Sequence, residues 1–337
     1  MLKKRELIDP YNRKISYLRV SVTDRCDFRC SYCMPEKMQF LPKKDVLSLG
    51  ELNQIAAAFI SLGVEKIRVT GGEPLVRKEI IDFFRNTGKY LAAGHLKELT
   101  ITTNGSQLER YAEQLFQFGV RRVNVSLDTL NAEKFKILTR FGKLEKVVKG
   151  IMKAKEIGLK IKINFVALKK VNEVELFDIL TWCHKNDFDL TFIEVMPLGN
   201  FKAEHRLSHY WSLIDLQTDI KNRFTLENIA ESSGGPAKYF RILETGQKIG
   251  FITPLSHNFC GTCNRVRVTC TGELHMCLGQ NNKTDLRKVV RSYPGNIEAL
   301  KSHIEKAILQ KPEAHSFSYR DDRVSGQLNR YMSHTGG

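Results

Sequence analysis

Strand-like segments alternate with helix-like segments through the first 200 residues, and this alternation constrains the fold more than any other feature. Short runs rich in β-branched residues predict six strands, at Ile15–Val22, Lys66–Thr70, Glu98–Thr102, Arg121–Leu127, Lys160–Leu168 and Asp189–Met196. Apolar residues at helical spacing predict helices between them, at Leu49–Leu62, Ile80–Phe84, Leu108–Phe118, Leu144–Ile157 and Val174–His184. Such a series predicts an α/β fold with a mainly parallel sheet. Six strands that end at one rim favour a partial (β/α)6 barrel over an open sheet.

The pattern changes near residue 200, where residues 197–200 end the last predicted strand. Beyond this point the sequence predicts two hairpins and two helices, at Lys238–Pro254, Arg265–Cys277, Asp285–Val290 and Ile297–Leu309. We therefore expect two domains, a barrel at residues 1–200 and a C-terminal α+β region at residues 201–337.

The net charge of +16 favours an anionic partner, which is a nucleic acid, a nucleotide or an anionic membrane surface. Neither an 18-residue apolar run nor an apolar N-terminal signal region is present, so we expect no membrane span and no secretion. Eight cysteines are too few for a disulfide scaffold, and six of them fall in two tight groups. This grouping predicts metal binding in the cytoplasm, a reducing compartment.

The first cysteine group is Cys26, Cys30 and Cys33, a C-x3-C-x2-C pattern that allows three thiolates to converge on one loop. Three thiolates suit a cubane iron–sulfur cluster with one iron left open to a small molecule. A zinc site with a distant fourth ligand is the alternative, and unligated cysteines are a third interpretation. The spacing favours the cluster.

The second cysteine group is Cys260, Cys263 and Cys277, a C-x2-C-x13-C pattern. Cys270 lies midway between its members, so the same stretch also fits a four-cysteine zinc ribbon. Spacing alone leaves both interpretations open.

Several residues with ligand-binding chemistry follow the predicted strands. They are the Gly-Gly-Glu-Pro stretch at residues 71–74, residues 102–105, Ser126, Asp128 and Met196. Ligands of parallel α/β folds bind at the carboxyl ends of the strands, so these residues are candidates for one binding site. The two glycines allow close backbone approach to a ligand, although the stretch also reads as an ordinary turn.

Basic residues lie on the predicted strands at Arg19, Arg68 and Lys162. They are either a solvated sheet edge or charges inside the barrel, where each needs a partner. Arg265 and Arg267 alternate along a later strand, so both point to the same face. Two arginines directed at one cavity suit phosphate or base recognition.

The stretch at residues 23–35, TDRCDFRCSYCMP, resembles the cluster loop of radical S-adenosylmethionine (SAM) enzymes. Together with residues 260–267, CGTCNRVR, it resembles the GTP 3′,8-cyclase family of molybdenum cofactor biosynthesis, along essentially the whole chain. Asp27 departs from the Asn expected there, but it is not a thiolate position. The resemblance implies a partial (β/α)6 radical SAM barrel, capped by a C-terminal α+β region with a second iron–sulfur cluster.

The activity that the resemblance implies is conversion of GTP to (8S)-3′,8-cyclo-7,8-dihydroguanosine 5′-triphosphate, the first step of molybdopterin biosynthesis. In this chemistry a 5′-deoxyadenosyl radical abstracts H3′ of GTP, and a C3′–C8 bond forms. The implied cofactors are two [4Fe-4S] clusters and SAM. Two other functions remain at this stage: a radical SAM enzyme acting on RNA or a peptide, and a zinc-dependent nucleic-acid-binding protein.

The resemblance also implies roles for individual residues. The cluster ligands would be Cys26, Cys30 and Cys33 for the first, and Cys260, Cys263 and Cys277 for the second. The SAM contacts would be Tyr32, Gly72, Ser126 and Met196. The GTP contacts would be Arg19, Arg68, Thr102, Lys162, Arg265, Val266 and Arg267. The catalytic residues would be Arg19, Arg265, Arg267, Gly336 and Gly337, because the family ends in a Gly-Gly dipeptide needed for activity.

The implied partners are GTP, an electron donor and, by hand-off of the product, a cyclic pyranopterin monophosphate synthase. The resemblance allows a homodimer. It implies neither a nucleic-acid nor a membrane partner, and it places the enzyme in the cytoplasm.

Overall fold

Six parallel strands and their connecting helices form the first half of the fold. The computed structural model describes residues 6–199, 208–230, 234–256, 259–320, 323–325, 328 and 330–336. The strands are β1 (Tyr17–Ser21), β2 (Lys66–Thr70), β3 (Glu98–Thr103), β4 (Arg122–Ser126), β5 (Lys160–Ala167) and β6 (Asp189–Glu194). The helices are α1 (Leu49–Ser61), α2 (Ile80–Ala92), α3 (Leu108–Gln117), α4 (Ala132–Thr139), α5 (Leu144–Glu156) and α6 (Leu176–Lys185). Each strand pairs in parallel with the next, which confirms the predicted (β/α)6 arrangement.

The C-terminal region extends this sheet at both edges. Its strands in the sheet are β7 (Leu226–Ile229), β8 (Lys238–Ile242), β9 (Lys248–Ile252), β10 (Arg265–Val268), β11 (Glu273–His275) and β12 (Lys283–Asp285). β9 pairs in parallel with β6, and β10 pairs in parallel with β1. Among the described residues the sheet order is therefore β12-β11-β10-β1-β2-β3-β4-β5-β6-β9-β8-β7, and β1 never meets β6. The barrel is thus open, and both predicted hairpins are confirmed as β8–β9 and β10–β11.

The remaining elements lie on the outside and at the C-terminus. They are helices α7 (Leu213–Lys221), α8 (Leu286–Ser292), α9 (Ile297–Ile308) and α10 (Met332–Thr335), and a hairpin of β13 (Ser318–Arg320) and β14 (Arg323–Ser325). No helix in the described stretches combines the length and the apolar character that a bilayer crossing requires. The predicted domain division falls at residues 200–207, outside the described residues, and stays a prediction.

The inner strands separate an apolar layer from a polar one. In β4, Val123 and Val125 belong to the hydrophobic core, whereas Asn124 and Ser126 line a cavity on the other face. Side chains alternate between the faces of a strand, so one short segment serves both purposes. The apolar layer packs against the helices, whose buried faces follow the predicted spacing, as in α1 with Leu52, Ile55 and Phe59. The core therefore lies between strands and helices, and the polar layer lines the barrel interior.

Two helices differ from their predicted extent. α2 continues to Ala92, well beyond the predicted end at Phe84, because its second half packs against the end of α3 through Gly88. α4 was not predicted, although Asn131 caps it by accepting a hydrogen bond from the main-chain amide of Lys134 at 3.0 Å. The first difference comes from a tertiary contact and the second from a local cap, and the apolar period reports neither.

We expect Gly88→Ala to destabilise the fold, whereas Gly50→Ala does not. A Cβ on Gly88 would lie 2.4 Å from the carbonyl oxygen of Phe118, so α2 and α3 would have to separate. Overpacking of this kind costs about 1–3 kcal/mol of unfolding free energy. Gly50 also lies in a helix, but its Cβ would meet only the Ser48 hydroxyl at 3.8 Å, so alanine should be neutral or stabilising by up to about 1 kcal/mol. Urea unfolding of both variants measures the difference, and equal midpoints would contradict the close approach of the two helices.

Candidate active site

A cavity of about 300 Å3 lies at the carboxyl ends of the barrel strands and is bordered by residues of both halves of the chain. The six clustered cysteines all line it: Cys26, Cys30 and Cys33, hereafter the first triad, and Cys260, Cys263 and Cys277, hereafter the second triad. The other two cysteines do not line it. Cys183 is buried in the core on α6, and Cys270 lies beside Asp24 and Arg77. The structure therefore separates Cys270 from the second triad.

The first triad is held in place by the end of β2. The main-chain amide of Gly72 donates to the Thr23 carbonyl at 2.7 Å, and that of Glu73 donates to the Arg25 carbonyl at 2.8 Å. A Cβ on Gly72 would lie 2.4 Å from the Arg25 carbonyl oxygen, so this close approach requires glycine. The Gly-Gly-Glu-Pro stretch thus fixes the backbone directly before Cys26.

Glu73 ties the ends of β2 and β3 together. Its carboxylate accepts hydrogen bonds from the Leu75 amide at 2.9 Å, the Thr103 hydroxyl at 2.8 Å and the Asn104 amide at 2.6 Å. Burial nevertheless raises the pKa of Glu73 to about 8. A buried carboxyl at this point would favour a cationic group of a ligand over a neutral one.

Asp27 is held rigidly beside Cys26. One carboxylate oxygen accepts from the Asn104 side-chain amide at 2.8 Å, and the other accepts from the Ser106 hydroxyl at 2.6 Å. The same Asn104 amide lies 3.7 Å from Cys26 Sγ. Asp27, the departure from the family pattern, therefore has donors for both oxygens and joins the loop of the first triad to the end of β3.

Tyr32 is anchored across the cavity. Its hydroxyl donates to Asp128 Oδ2 at 2.6 Å, and the main-chain amide of Val166 donates to Asp128 Oδ1 at 2.8 Å. Burial raises the pKa of Asp128 to about 6 against these two hydrogen bonds. The tyrosine between the last two cysteines of the first triad is thereby connected to the ends of β4 and β5.

The thiols differ in the charges around them. Burial raises the pKa of all three members of the first triad, that of Cys33 to about 11. Burial also acts on Cys263, but Arg265 and Lys311 outweigh it and lower its pKa. A metal-bound thiol is deprotonated, so bound iron would convert both triads to thiolates.

The donor set of each triad fits a cluster better than a single ion. A structural zinc site normally takes four protein ligands, and each triad offers three thiols. Among the described residues, no group of three or more His, Cys, Asp or Glu side chains is arranged as a site for one metal ion. Three thiolates around a wider centre suit a cubane, in which each binds a different iron. The first triad thus fits a [4Fe-4S] cluster with one open iron.

Five cations point into the same cavity; we call them the cation cluster, and they are Arg19, Arg68, Lys162, Arg265 and Arg267. Burial, together with Arg68 and Arg265, lowers the pKa of Arg19 to about 10. Burial and the neighbouring arginines Arg19 and Arg265 lower the pKa of Arg267 well below its usual value. The pKa of Lys162 is also well below its usual value, because of burial and of the nearby charges of Arg122 and Arg68. Buried like charges in such numbers favour an anionic ligand.

Polar groups around the cation cluster lack protein partners. No hydrogen bond within the described residues reaches the Thr102 hydroxyl, Asn124 Oδ1 or Arg68 Nε, although all three atoms are buried. Burial acts to raise the pKa of Tyr17, yet the surrounding cations lower it to about 8. Buried polar groups are normally hydrogen-bonded, so these atoms indicate a polar ligand.

The structure brings most of the expected site residues together. The residues expected to contact SAM, and Thr102, all line the cavity: Tyr32, Gly72, Ser126 and Met196. Val266 does not, because its side chain packs into the core, so any ligand contact there is through its main chain. The carbonyl of Gly336 accepts a hydrogen bond from Arg267 at 2.6 Å, and Gly337 lies outside the described residues.

Asn124 and Asn164 also line the cavity, and the sequence analysis missed them. Both strands carry polar residues at every second position between apolar ones: Asn124 and Ser126 on β4, and Lys162 and Asn164 on β5. This alternation indicates one polar face on each strand, and it would have predicted that Asn124 and Asn164 line the barrel interior.

Comparisons with known proteins agree with this geometry. The Radical SAM superfamily profile matches residues 20–183, and the Molybdenum Cofactor Synthesis C profile matches residues 188–317. The crystal structure of Streptococcus suis SuiB bound to S-adenosylmethionine superposes with a TM-score of 0.60 at 15% identity, covering 91% of this chain and 74% of that one. At this identity the structural match shows a shared fold only. The profile match over residues 20–183 shows that the barrel is that of a radical SAM enzyme.

Full-length relatives narrow the family. The chain is 59% identical over 332 residues to the GTP 3′,8-cyclase of Paracoccus denitrificans, covering 98% of this chain and 96% of that one. It is 53% identical over 331 residues to the GTP 3′,8-cyclase of Mesorhizobium japonicum, and the match covers 98% of this chain and 99% of that one. The chain belongs to the GTP 3′,8-cyclase family, radical SAM enzymes of molybdenum cofactor synthesis. This family implies SAM and a [4Fe-4S] cluster, and it overturns the zinc-dependent nucleic-acid-binding alternative.

We expect Gly72→Ala to remove the first cluster selectively. The new Cβ would meet the Arg25 carbonyl at 2.4 Å and would displace the backbone before Cys26. About half of the iron and nearly all reductive SAM cleavage should be lost. Gly261→Ala is the matched control, because it lies in the loop of the second triad and its Cβ would meet nothing within 4 Å. Iron analysis after anaerobic reconstitution measures the effect, and full iron in the Gly72 variant would contradict it.

Proposed function

We propose that the chain converts GTP to (8S)-3′,8-cyclo-7,8-dihydroguanosine 5′-triphosphate, the first step of molybdopterin biosynthesis. The observation that carries this proposal is the cation cluster, which shares one cavity with the two cysteine triads. A triphosphate supplies several negative charges to groups that are buried among like charges. High identity to named cyclases favours this substrate over RNA or a peptide.

The first triad would hold a reduced [4Fe-4S] cluster with SAM, and together these would supply the 5′-deoxyadenosyl radical chemistry that removes H3′ of GTP and leads to the C3′–C8 bond. The residues of this chain bind and orient the reactants. Tyr32, Gly72, Ser126 and Met196 would contact SAM beside the first triad, and the buried carboxyl of Glu73 would stabilise the positive charge of its amino group. A buried, desolvated cavity keeps water away from the reacting carbon atoms.

The cation cluster would bind the triphosphate and guanine of GTP. Lys162 donates to the Tyr239 hydroxyl at 2.5 Å, which fixes its ammonium on the side of β5 that lines the cavity. The Thr102 hydroxyl and Arg68 Nε, which have no hydrogen-bond partner within the described part of the chain, are buried atoms that a nucleotide would satisfy. A hydrogen bond to a charged group contributes about 1.5–3 kcal/mol, so several such contacts account for specific binding.

The second triad would hold a second [4Fe-4S] cluster, which would leave one iron available to the guanine base of GTP. Its thiols line the same cavity as Arg265 and Arg267, which supports base recognition next to phosphate recognition. The donor set is the same as in the first triad, and Cys270 lies elsewhere. The second triad and Arg265 therefore define the substrate side of the cavity.

Other partners follow from the family. An external electron donor would reduce the first cluster, and the product would pass to a cyclic pyranopterin monophosphate synthase. The proposal also includes association of two chains as a homodimer. It includes a cytoplasmic location, because oxygen-sensitive thiolate clusters need a reducing compartment.

The C-terminal glycines would position an arginine of the substrate side. Arg267 Nη1 donates to the Gly336 carbonyl at 2.6 Å. Gly336 has φ +75°, and a Cβ there would lie 1.9 Å from the Thr70 hydroxyl, so no other residue fits. Gly337, which lies outside the described residues, belongs to the same proposal.

Anaerobic incubation with SAM, dithionite and each nucleoside triphosphate tests the proposed function. We expect cyclised product from GTP only. Alanine at any member of the first triad should abolish SAM cleavage, whereas alanine at any member of the second triad should halve the iron and abolish the cyclised product. Cys270→Ala is the matched control and should keep about eight irons per chain, as two cubanes require. A zinc-containing wild type, or iron loss in the control alone, would contradict the proposal.

Gly336→Ala should abolish cyclisation while leaving iron content and SAM binding near normal. The new Cβ cannot coexist with Thr70, so the carbonyl that holds Arg267 would move. Gly295→Ala is the matched control, since Gly295 has a similar φ of +76° but nothing within 4 Å of its Cβ. Product formation is measured by chromatography, and an active Gly336 variant would show that this contact is dispensable.

A further inference from the structure

Three buried or half-buried cations hold the chain around the second triad, and neither the sequence motifs nor the proposed substrate contacts include them. They are Arg13, Lys311 and Arg330, which we call the cation frame. Each donates hydrogen bonds to main-chain carbonyls at or next to a cysteine. They come from three distant parts of the sequence and meet only in the fold.

Lys311 is the member closest to sulfur. It is only 3% exposed, and its ammonium donates to the carbonyls of Met276 at 2.6 Å and Arg265 at 3.1 Å and lies 3.6 Å from Cys263 Sγ. An ammonium has three donors, and these three acceptors use all of them. Among the described residues no carboxylate pairs with Lys311. A buried ammonium needs a negative partner, and of its acceptors only the sulfur can become an anion.

Arg13 fixes the backbone next to Lys311. It is 8% exposed, and Asp9 orients it through a 2.6 Å hydrogen bond from Nε. Its guanidinium donates to the carbonyl of Cys260 at 2.7 Å and to the two carbonyls of residues 312–313 at 2.7 and 2.6 Å. One arginine therefore links the first cysteine of the second triad to the residues that directly follow Lys311.

Arg330 holds the other side of the second triad. Its guanidinium donates to the carbonyls of Leu278 and Gln280, the latter at 2.9 Å, and to His275 Nδ1 at 3.1 Å. These acceptors flank Cys277. Lys311 donates to the carbonyl of Met276, and Arg330 donates to that of Leu278. A cation therefore holds the main-chain carbonyl on each side of Cys277.

We propose that Lys311 is a positioning residue for the second cluster, which it orients through Cys263 and the carbonyls of Arg265 and Met276 while balancing the charge of the thiolates. This inference rests on the proposed second cluster. A [4Fe-4S] core with three thiolates carries one negative charge when oxidised and two when reduced. A buried cation and a hydrogen bond to sulfur favour the reduced form, so Lys311 raises the reduction potential of the cluster. Arg13 and Arg330 keep the surrounding backbone in place.

The test compares Lys311→Met and Lys311→Gln with Lys306→Met. Methionine has a similar length and no charge, and glutamine has no charge but keeps two N–H donors. Lys306→Met removes the same charge from an exposed position of α9. Each variant is made in the full chain, with and without Cys30→Ala, so that the second cluster can be observed alone. Iron content and a dithionite titration followed by electron paramagnetic resonance are the readouts.

We expect both Lys311 variants to keep the first cluster and SAM cleavage. Their second cluster should be lost, or should be at least tenfold harder to reduce, which corresponds to a shift of about 59 mV to lower potential. The Lys306 variant should match the wild type. An unchanged iron content and potential in both Lys311 variants would overturn the proposal. The proposal would also be overturned if both Lys311 variants failed to fold before iron was added. Lys311 would then stabilise the fold itself and would not act on the cluster.

The same experiment distinguishes this inference from the proposed function. A wild-type chain that binds only about four irons would contradict the second cluster itself, whatever Lys311 does. A wild type with about eight irons and unaffected Lys311 variants would leave the proposed function intact and remove only the positioning role.

Discussion

Buried positive charge is the constraint on which the rest of the structure depends. Arg19, Lys162 and Arg267 lie inside the barrel with pKa values lowered by burial and by neighbouring cations, which is an unfavourable arrangement in the absence of an anion. Folding must therefore provide enough apolar burial elsewhere to offset this repulsion. The parallel strands do so, because the face opposite the cations packs against six helices. The cavity is thus prepared for an anionic ligand before one binds.

The cysteine loops depend on the barrel in different ways. The first triad is positioned by main-chain contacts to the end of β2, where Gly72 permits an approach that no side chain allows. The second triad lies next to the start of β10 and the end of β11, and charged side chains from distant segments, Arg13 and Lys311 among them, also hold its loop. The support of the first triad therefore comes from a strand end that the sequence pattern indicates, whereas part of the support of the second comes from residues that only the tertiary structure brings together.

This difference explains how much could be predicted from the sequence. The six strands and both cysteine groups follow from local period and spacing, and the strand-end position of Gly72 follows from their order. The parallel pairing of β10 with β1 does not, because Arg267 lies 248 residues after its partner Arg19 (267 − 19). Lys311 was missed for the same reason, since a single lysine after a helix normally lies in solvent. Only the fold shows that its ammonium points at Cys263.

The C-terminal segment joins these separate requirements. Arg330 holds the carbonyls on one side of Cys277, and the carbonyl of Gly336 holds Arg267. Burial raises the pKa of Cys33, and the main-chain amide of Ser333 opposes this effect, so the same short segment also reaches the first triad. Three residues of this segment, Arg330, Ser333 and Gly336, therefore contact both cysteine loops and the cation cluster. Because one short segment makes all three contacts, a displacement of the segment would disturb both triads and Arg267 together.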